Sequence, residues 1–179
     1  MNRQSSLRAA IFFIAMSIST SSFANVTDKR WYIINDDVMG GRSDSQITTT
    51  DNSIIFSGTV SLENDGGFAS IRAAMQSPEN STNVQIIMLG DGKTYQLRLR
   101  SNRLYDGPAF VHEFKTIKGQ WQTLIVDKND FHLQYRGRKL TSTEQVDIGD
   151  IEQIGFLISG KQEGEFSLQI KSIVFLTQI

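Results

Sequence analysis

The stretch that decides the fold is Glu63–Arg72, which reads ENDGGFASIR and lies between two segments with the pattern of strands. Before it, Ile54–Leu62 alternates apolar and polar residues, which is the period of a half-buried strand. After it, Ala69–Met75 places apolar residues at every second position. The four residues Asn64–Gly67 between these strands tolerate positive φ, so we predict a tight reversal of the chain there.

The rest of the chain repeats this pattern of short strand-like segments separated by turns. No stretch has the 3.6-residue period of a long helix, and many short strands between turn signals are typical of a β-sandwich or barrel. The further segments that we predict as strands are Trp31–Ile34, Val84–Leu89, Tyr95–Leu99, Phe110–Lys115, Trp121–Val126, Ile154–Ile158 and Phe166–Phe175.

Three local features refine this prediction. Val84–Leu89 is almost entirely apolar, which predicts a strand that is covered on both faces. The glycine-rich segment Gly90–Lys93 predicts a hairpin turn. In the last strand the apolar positions change phase between Ile170 and Ile173, which predicts a β-bulge near Ser172.

The N-terminus has the features of a secretory signal peptide. Arg3 and Arg8 precede the apolar run Ala9–Ile18, and Ser22 and Ala24 place small residues at the −3 and −1 positions of a cleavage site. We therefore predict removal of residues 1–24, export to the periplasm or medium, and one β domain over residues 25–179. The alternative is an uncleaved N-terminal anchor. No second apolar run is long enough to cross a membrane, so we do not expect an integral membrane protein after cleavage.

Composition narrows the classes of function. The chain has a formal net charge of −1, and cleavage would remove two arginines, so a general nucleic-acid-binding role is not expected. Cysteine is absent, so the hydrophobic core must stabilise the domain without disulfides. The two histidines are far apart, and no nucleophile-elbow motif is present. We therefore expect no metal, no cofactor and no enzyme activity.

Acidic and glycine-rich segments supply the first candidate site residues. Asp36 and Asp37 could serve acid–base chemistry or bind calcium, or one could cap a turn while the other pairs with an arginine. We favour the second interpretation, because neighbours in a strand point to opposite faces. Arg72 is then either a ligand contact or a buried staple to this acidic pair. The glycine-rich segments at Gly40–Gly41, Gly66–Gly67 and around Asp91 predict turns and do not match a phosphate-binding motif.

A second group of candidates lies on one side of a strand. Gln96, Arg98 and Arg100 alternate with the apolar residues of their segment and share a face. Such a face is ordinarily solvated surface, and the alternative is a site for an acidic or hydroxylated partner. Trp121 begins a strand, which favours core packing over a sugar-stacking role.

Taken together, the motifs resemble the complex I intermediate-associated protein 30 family. They are NDDVMGGRS at 35–43, FSGTVSLENDGGFASIR at 56–72, GDGKTYQLRLR at 90–100, GQW at 119–121 and IGFLISGKQEGEFSLQIKSI at 154–173. The resemblance covers nearly all of the chain after residue 24. Its pattern falls on Asp36, Asp37, Met39, Gly40, Gly41, Asn64, Gly66, Gly67, Phe68, Ser70, Arg72, Gly90, Asp91, Gly92, Tyr95 and Trp121.

The resemblance implies an all-β, galactose-binding-domain-like sandwich of jelly-roll type, without an established catalytic activity. Mitochondrial members help to assemble respiratory NADH:ubiquinone oxidoreductase by holding incomplete membrane subunits. They act on the matrix side of their membrane, whereas the apparent export signal would place this chain on the other side of a bacterial inner membrane. The expected function is a non-enzymatic assembly module for a protein client, such as unfolded or incomplete membrane-complex subunits. The alternative is a carbohydrate-binding module of the cell envelope.

Overall fold

The computed structural model describes residues 22–101, 107–142 and 144–177. These residues form thirteen strands in two antiparallel sheets, with short 3₁₀ helices between some of them. The predicted all-β class is confirmed. Most of the predicted signal peptide lies outside the described residues, and no helix within them is long and apolar enough to cross a membrane.

The first sheet has six strands. Its main path runs in the order β3-β4-β13-β6-β9, and β1 pairs with the C-terminal half of β13. The strands of this sheet are β1 Ser22–Ala24, β3 Asp44–Thr49, β4 Ile54–Val60, β6 Ser81–Gly90, β9 Trp121–Asp127 and β13 Gly164–Thr177.

The second sheet has seven strands in the order β11-β10-β8-β7-β12-β5-β2. The central strands β7 and β12 pair with each other through seven residue pairs, with one irregularity near Ile151. The strands are β2 Trp31–Ile33, β5 Ala69–Ala74, β7 Thr94–Ser101, β8 Ala109–Lys115, β10 His132–Tyr135, β11 Arg138–Lys139 and β12 Ile151–Ile158.

The core lies between the two sheets and is built from alternate residues of their strands. Ile54 and Phe56 of β4 are 1% and 0% exposed, and Ile71 of β5 is 1% exposed, as the alternation predicts. Phe56 packs edge-to-face on Phe166 with ring centroids 4.8 Å apart. Each side chain buried in this way stabilises the fold by about 1.5–3 kcal/mol, so the core can hold the domain without disulfides.

Two predicted reversals prove to be crossings between the sheets. The turn after β4 does contain the expected positive φ values, 56° at Asn64 and 129° at Gly67. However, β4 belongs to the first sheet and β5 to the second, so the turn does not close a hairpin. The prediction of a hairpin at Gly90–Lys93 is wrong for the same reason. This segment joins β6 of the first sheet to β7 of the second.

The structure also settles two predictions about individual strands. The expectation that Val84–Leu89 is covered on both faces is wrong: Val84 is fully buried, but Ile87 and Leu89 are only partly so. The bulge in β13 is confirmed, since its pairing with β6 skips one residue between Ile170 and Ser172. The extra residue is Lys171, and the bulge returns Ile173 to the core.

Candidate functional site

The two strongest sequence motifs fold onto each other through Asp36. Its Oδ1 accepts the backbone N–H of Ser43 at 2.9 Å. Its Oδ2 accepts the Ser43 hydroxyl at 2.6 Å, the Gly67 N–H at 2.6 Å and the Phe68 N–H at 3.2 Å. Asp36 is 1% exposed. One buried carboxylate therefore ties the segment around residues 36–43 to the turn that leads into β5, and we call this arrangement the aspartate clasp.

The glycines of both motifs are required by the clasp. A Cβ on Gly41 would lie 2.4 Å from Cγ of Asp36, and one on Gly66 would lie 2.6 Å from its Oδ2. Gly40 has φ +91°, a conformation that favours glycine, and its carbonyl accepts the side-chain amide of Asn64 at 3.1 Å. These residues close the loops against each other and account for the acid and glycine pattern without a bound ligand.

The electrostatics of Asp36 agree with a structural role. Burial disfavours its charged form and is the largest single influence on its pKa. The hydrogen bonds from the Ser43 side chain and from the backbone of Gly67, Ser43 and Phe68 act in the opposite direction and outweigh burial. The pKa of Asp36 is therefore lowered, and the carboxylate stays ionised at neutral pH.

The other acidic candidates lie apart from one another. Asp37 is exposed beside the clasp. Asp91 accepts the backbone N–H groups of Lys93 at 3.0 Å and Ser167 at 2.9 Å, so it fastens the crossing between the sheets to β13. Arg72, predicted as a staple to the acidic pair, is half-buried in the second sheet, while the partners of Asp36 are Ser43, Gly67 and Phe68.

The arginines come together on the outer face of the seven-stranded sheet, which is the face turned away from the core. The strand register places Arg72 of β5 beside Gly155 of β12, and Gly155 beside Arg98 of β7. The same row continues to Tyr32 at one end and, through β8, to His132 at the other. Gly155 contributes no side chain between the two arginines, and its backbone is buried beneath neighbouring residues.

Glutamines surround Arg98 and fix its position. Nη1 of Arg98 donates to Oε1 of Gln96 at 2.8 Å and to Oε1 of Gln134 at 3.0 Å. Gln96 in turn donates to Glu113 at 2.9 Å, and Arg100 donates to Gln153 at 3.4 Å. We call this set the arginine–glutamine face; its members are Arg72, Gln96, Arg98, Arg100, Gln134, Gln153 and Gly155.

The charge on this face is concentrated and poorly hydrated. Burial, and after it the positive charge of Arg72, lowers the pKa of Arg98 to about 10. Within the described residues no carboxylate forms an ion pair with Arg98, whose acceptors are neutral amides. Arg98 remains charged at neutral pH, so the face offers positive charge in a place of restricted solvent access.

The expectation that this face is ordinary solvated surface is wrong. Gln96 and Arg100 are each 6% exposed, and Gln153 is 2% exposed. The reason is their place on β7 and β12, which are central strands, so long neighbouring side chains shield them on both sides. Arg72 and Arg98 are half-buried and remain within reach of a ligand.

Sequence reasoning found the arginines of this face but missed the glutamines of other strands. Gln134 and Gln153 join it only through the register of β10 and β12. Gly155 was missed because a single glycine in an apolar strand does not show which residues of the neighbouring strands lie beside it. Its alternation with Gln153 along β12 was the one available signal.

Trp121 does not belong to this site or to the core. It is 50% exposed on the outer face of the other sheet, so the core position predicted for it is wrong. Both faces of β9 carry apolar residues, with Leu124 and Val126 turned inward. Periodicity alone therefore could not decide which face was buried.

The fold defines a class of protein: a jelly-roll β-sandwich that is galactose-binding-domain-like. The family 11 carbohydrate-binding module of a cellulosomal cellulase of Clostridium thermocellum has a similar structure, with a TM-score of 0.63 and 11% identity, covering 90% of this chain and 97% of that one. A family 11 carbohydrate-binding module from Clostridium thermocellum in complex with a β-1,3-1,4-mixed-linked tetrasaccharide has a TM-score of 0.62 and 14% identity, covering 91% of this chain and 99% of that one. A family 29 carbohydrate-binding module has a TM-score of 0.53 and 10% identity, covering 90% of this chain and 93% of that one.

The family model described as complex I intermediate-associated protein 30 matches residues 19–170. The chain belongs to this family, as its motifs led us to expect. No curated relative matches the sequence. The motifs that carry the family pattern include the aspartate clasp, so they define the scaffold as well as any binding surface.

Proposed function

We propose that the protein is a non-catalytic binding module that holds its partner on the arginine–glutamine face. The observation that carries this proposal is the row in which Arg72 and Arg98 flank Gly155. Neighbouring strands are about 4.8 Å apart, so the two arginines start about 10 Å apart. Two half-buried guanidinium groups with no side chain between them on the sheet can both donate to one small planar acidic or hydroxylated group.

Hydrogen bonds fix the guanidinium group of Arg98 while leaving donors for such a group. Within the described part of the chain, its hydrogen bonds come from Nη1 alone, although a guanidinium has five N–H donors. The glutamine oxygens orient the side chain without neutralising its charge. This pre-organisation lowers the entropy that the side chain loses on binding.

We propose further that the partner is a protein client in the assembly of a membrane complex. Support comes from membership of the complex I intermediate-associated protein 30 family. In this role, carboxylates and backbone carbonyls of an incomplete or unfolded subunit would accept hydrogen bonds from Arg72 and Arg98. With the predicted signal peptide removed, the client would be met on the outer side of the inner membrane.

A glycan is the second candidate. The half-buried guanidinium groups of Arg72 and Arg98 can donate to the hydroxyls of a sugar, and Tyr32 at the end of the row is 48% exposed, with Arg30 over one face of its ring. The structural likeness to carbohydrate-binding modules is a likeness of fold and supports this candidate only in that sense.

The experiment compares Arg98→Gln with Arg42→Gln in the full chain. Arg42 is a matched control, because its ion pair with Glu63 at 3.1 Å is exposed and lies away from the face. Each tagged variant is crosslinked in its native host and the attached proteins are identified. Each is also titrated with a β-1,3-1,4-linked glucan tetrasaccharide by calorimetry.

For a client on this face, Arg98→Gln should lose at least tenfold of the crosslinked subunit while Arg42→Gln keeps it. Binding of the tetrasaccharide that Arg98→Gln abolishes would instead favour the glycan. If Arg98→Gln retains every partner of the parent protein, the arginine–glutamine face is not the binding site.

A further inference from the structure

The four strands that end the main paths of the two sheets differ in length and in protection. In the seven-stranded sheet the edge strands are short: β2 has three residues and β11 has two. In the six-stranded sheet β3 has six residues, begins with Asp44 and is mostly polar. β9 has seven residues and is the longest of the four. Edge strands expose unpaired backbone groups, and proteins ordinarily protect them by shortness, charge, proline or a bulge.

β9 has none of these protections over most of its length. Residues 121–126 read WQTLIV and contain no charge, proline or glycine. Its pairing with β6 runs through seven consecutive residue pairs, from Trp121 opposite Leu89 to Asp127 opposite Asn83, without a register shift. Within the described residues no strand pairs with its other side. The edge is therefore straight and open to another strand.

The outer face at this edge is apolar. Trp121 and Ile125 are 50% and 56% exposed. Leu89 and Ile87 of β6 lie on the same face and are half-buried. These side chains form an apolar strip that reaches the edge and is interrupted by Thr123 and Gln85. Side chains at every second position of an added strand would contact its apolar members.

The ends of the edge carry opposite charges. At the Trp121 end, Lys171 lies over the indole ring, with Nζ 5.8 Å from the ring centroid, and exposed Lys118 is three residues away in sequence. At the other end stand Asp127, Lys128 and Asp130, whose net charge is −1. A complementary segment therefore has an acidic residue near Trp121 and a basic residue near Asp127.

We propose that β9 binds an extended segment of a partner polypeptide as an added strand. The segment has apolar residues at alternate positions, an acidic end beside Trp121 and a basic end beside Asp127. Backbone hydrogen bonds to the edge supply affinity, and contact with Trp121 and Ile125 supplies preference for apolar side chains. This surface lies on the sheet opposite the arginine–glutamine face and does not depend on that face.

The probe is a synthetic nine-residue peptide of alternating valine and threonine with glutamate at one end and lysine at the other. Its reversed sequence tests both strand directions, and a version N-methylated at alternate residues removes backbone donors. Binding to the full chain is measured by fluorescence anisotropy. The variant is Ile125→Lys, which places a charge on the edge, and the control is Ile33→Lys, because Ile33 is 43% exposed on the other sheet.

We expect saturable binding in one of the two directions, none by the N-methylated peptide, and at least a tenfold loss in Ile125→Lys at an unchanged melting temperature. Ile33→Lys should bind the peptide as the parent does. Ile125→Lys leaves the arginine–glutamine face unaltered, so failure here is distinct from failure of the proposed function. Equal binding by Ile125→Lys, or by the N-methylated peptide, overturns the proposal. So does a parent protein that is dimeric by sedimentation and becomes monomeric in Ile125→Lys, because the edge then pairs with a second copy.

Discussion

At the scale of single residues, Asp36 explains the acidic and glycine pattern of two of the motifs, at residues 36–43 and 63–68. Its carboxylate accepts the N–H groups of Ser43, Gly67 and Phe68. Gly67 and Phe68 lie 24 and 25 residues after Ser43 in the chain. Backbone donors that are buried without an acceptor are costly, so removing the carboxylate affects both loops at once. Asp36 is therefore a residue of the scaffold, although an acidic doublet invites a catalytic interpretation.

Asp36→Asn should reduce stability in a pH-dependent way. The folded-state pKa of Asp36 is lowered from 3.8, so its contribution is fully present above the unfolded-state pKa and is lost as the pH falls through the folded value. At pH 7 the variant should be about 2–4 kcal/mol less stable, since a buried charged acceptor is lost. The difference from the parent should shrink below about pH 4. Urea unfolding between pH 7 and pH 2.5 measures it.

Asp51→Asn is the matched control for this series, because Asp51 is exposed. It should unfold as the parent does at pH 7. A difference between Asp36→Asn and the parent that stays constant down to pH 2.5 would mean that the charge of Asp36 does not stabilise the clasp.

Gly41→Ala should destabilise the protein because of its contact with Asp36. The added Cβ would lie 2.4 Å from Cγ of Asp36, and the surrounding hydrogen bonds leave the carboxylate little freedom to move. We expect a loss of about 3 kcal/mol, at the upper end of the effects of overpacking. Chemical denaturation provides the measurement.

Gly119→Ala separates this collision from backbone strain. Gly119 has φ +72° with no atom within 4 Å of the added Cβ, so its substitution should cost about 1–2 kcal/mol through conformation alone. A loss in Gly41→Ala no larger than that in Gly119→Ala would mean that Asp36 moves aside and that the collision costs little.

At the scale of strands, the sequence predicted positions and faces better than partners. The alternation in β4 and β5 identified their buried residues, because one face of each strand meets the core. The turns at Asn64 and Gly92 have the backbone conformations that their residues favour, but a reversal is equally suited to a hairpin and to a crossing between sheets. Pairing depends on contacts far apart in the chain, which local pattern does not contain.

The same limit explains what was missed in the candidate site. Arg98 and Arg100 were predicted to share a face because they lie in one strand. Gln134 and Gly155 reach that face from β10 and β12, across strands that are distant in sequence. The burial of Arg98 and Arg100 could not be predicted either, since it follows from the central place of β7 in the sheet.

At the scale of the whole molecule, the two sheets present different outer faces. The seven-stranded sheet carries arginines and glutamines, and the six-stranded sheet carries the apolar strip that ends at β9. One domain thus offers two surfaces of opposite character on its two sides. Such a domain could contact two parts of one incomplete complex at the same time.

Cleavage of the predicted signal peptide would determine the compartment in which these surfaces act. We expect cleavage between Ala24 and Asn25, since Ser22 and Ala24 occupy the positions that signal peptidase reads. Intact-mass spectrometry of the protein from its native host should give an N-terminus at Asn25. A chain that begins at Met1 and remains in the cytoplasm would exclude an exported role.

The bulge in β13 gives this strand an unusual tolerance of length change. Phe166, Leu168 and Ile170 face the core before Lys171, and Ile173 and Phe175 face it afterwards. If Lys171 were deleted, a regular strand would still turn all five of these residues inward, because the deletion restores strict alternation. Deleting Gln169 instead would move the core residues on one side of the deletion to the outer face of the sheet. Lys171 is thus a place where the chain could have gained a residue while its core was kept, and that residue now lies over Trp121 at the open edge.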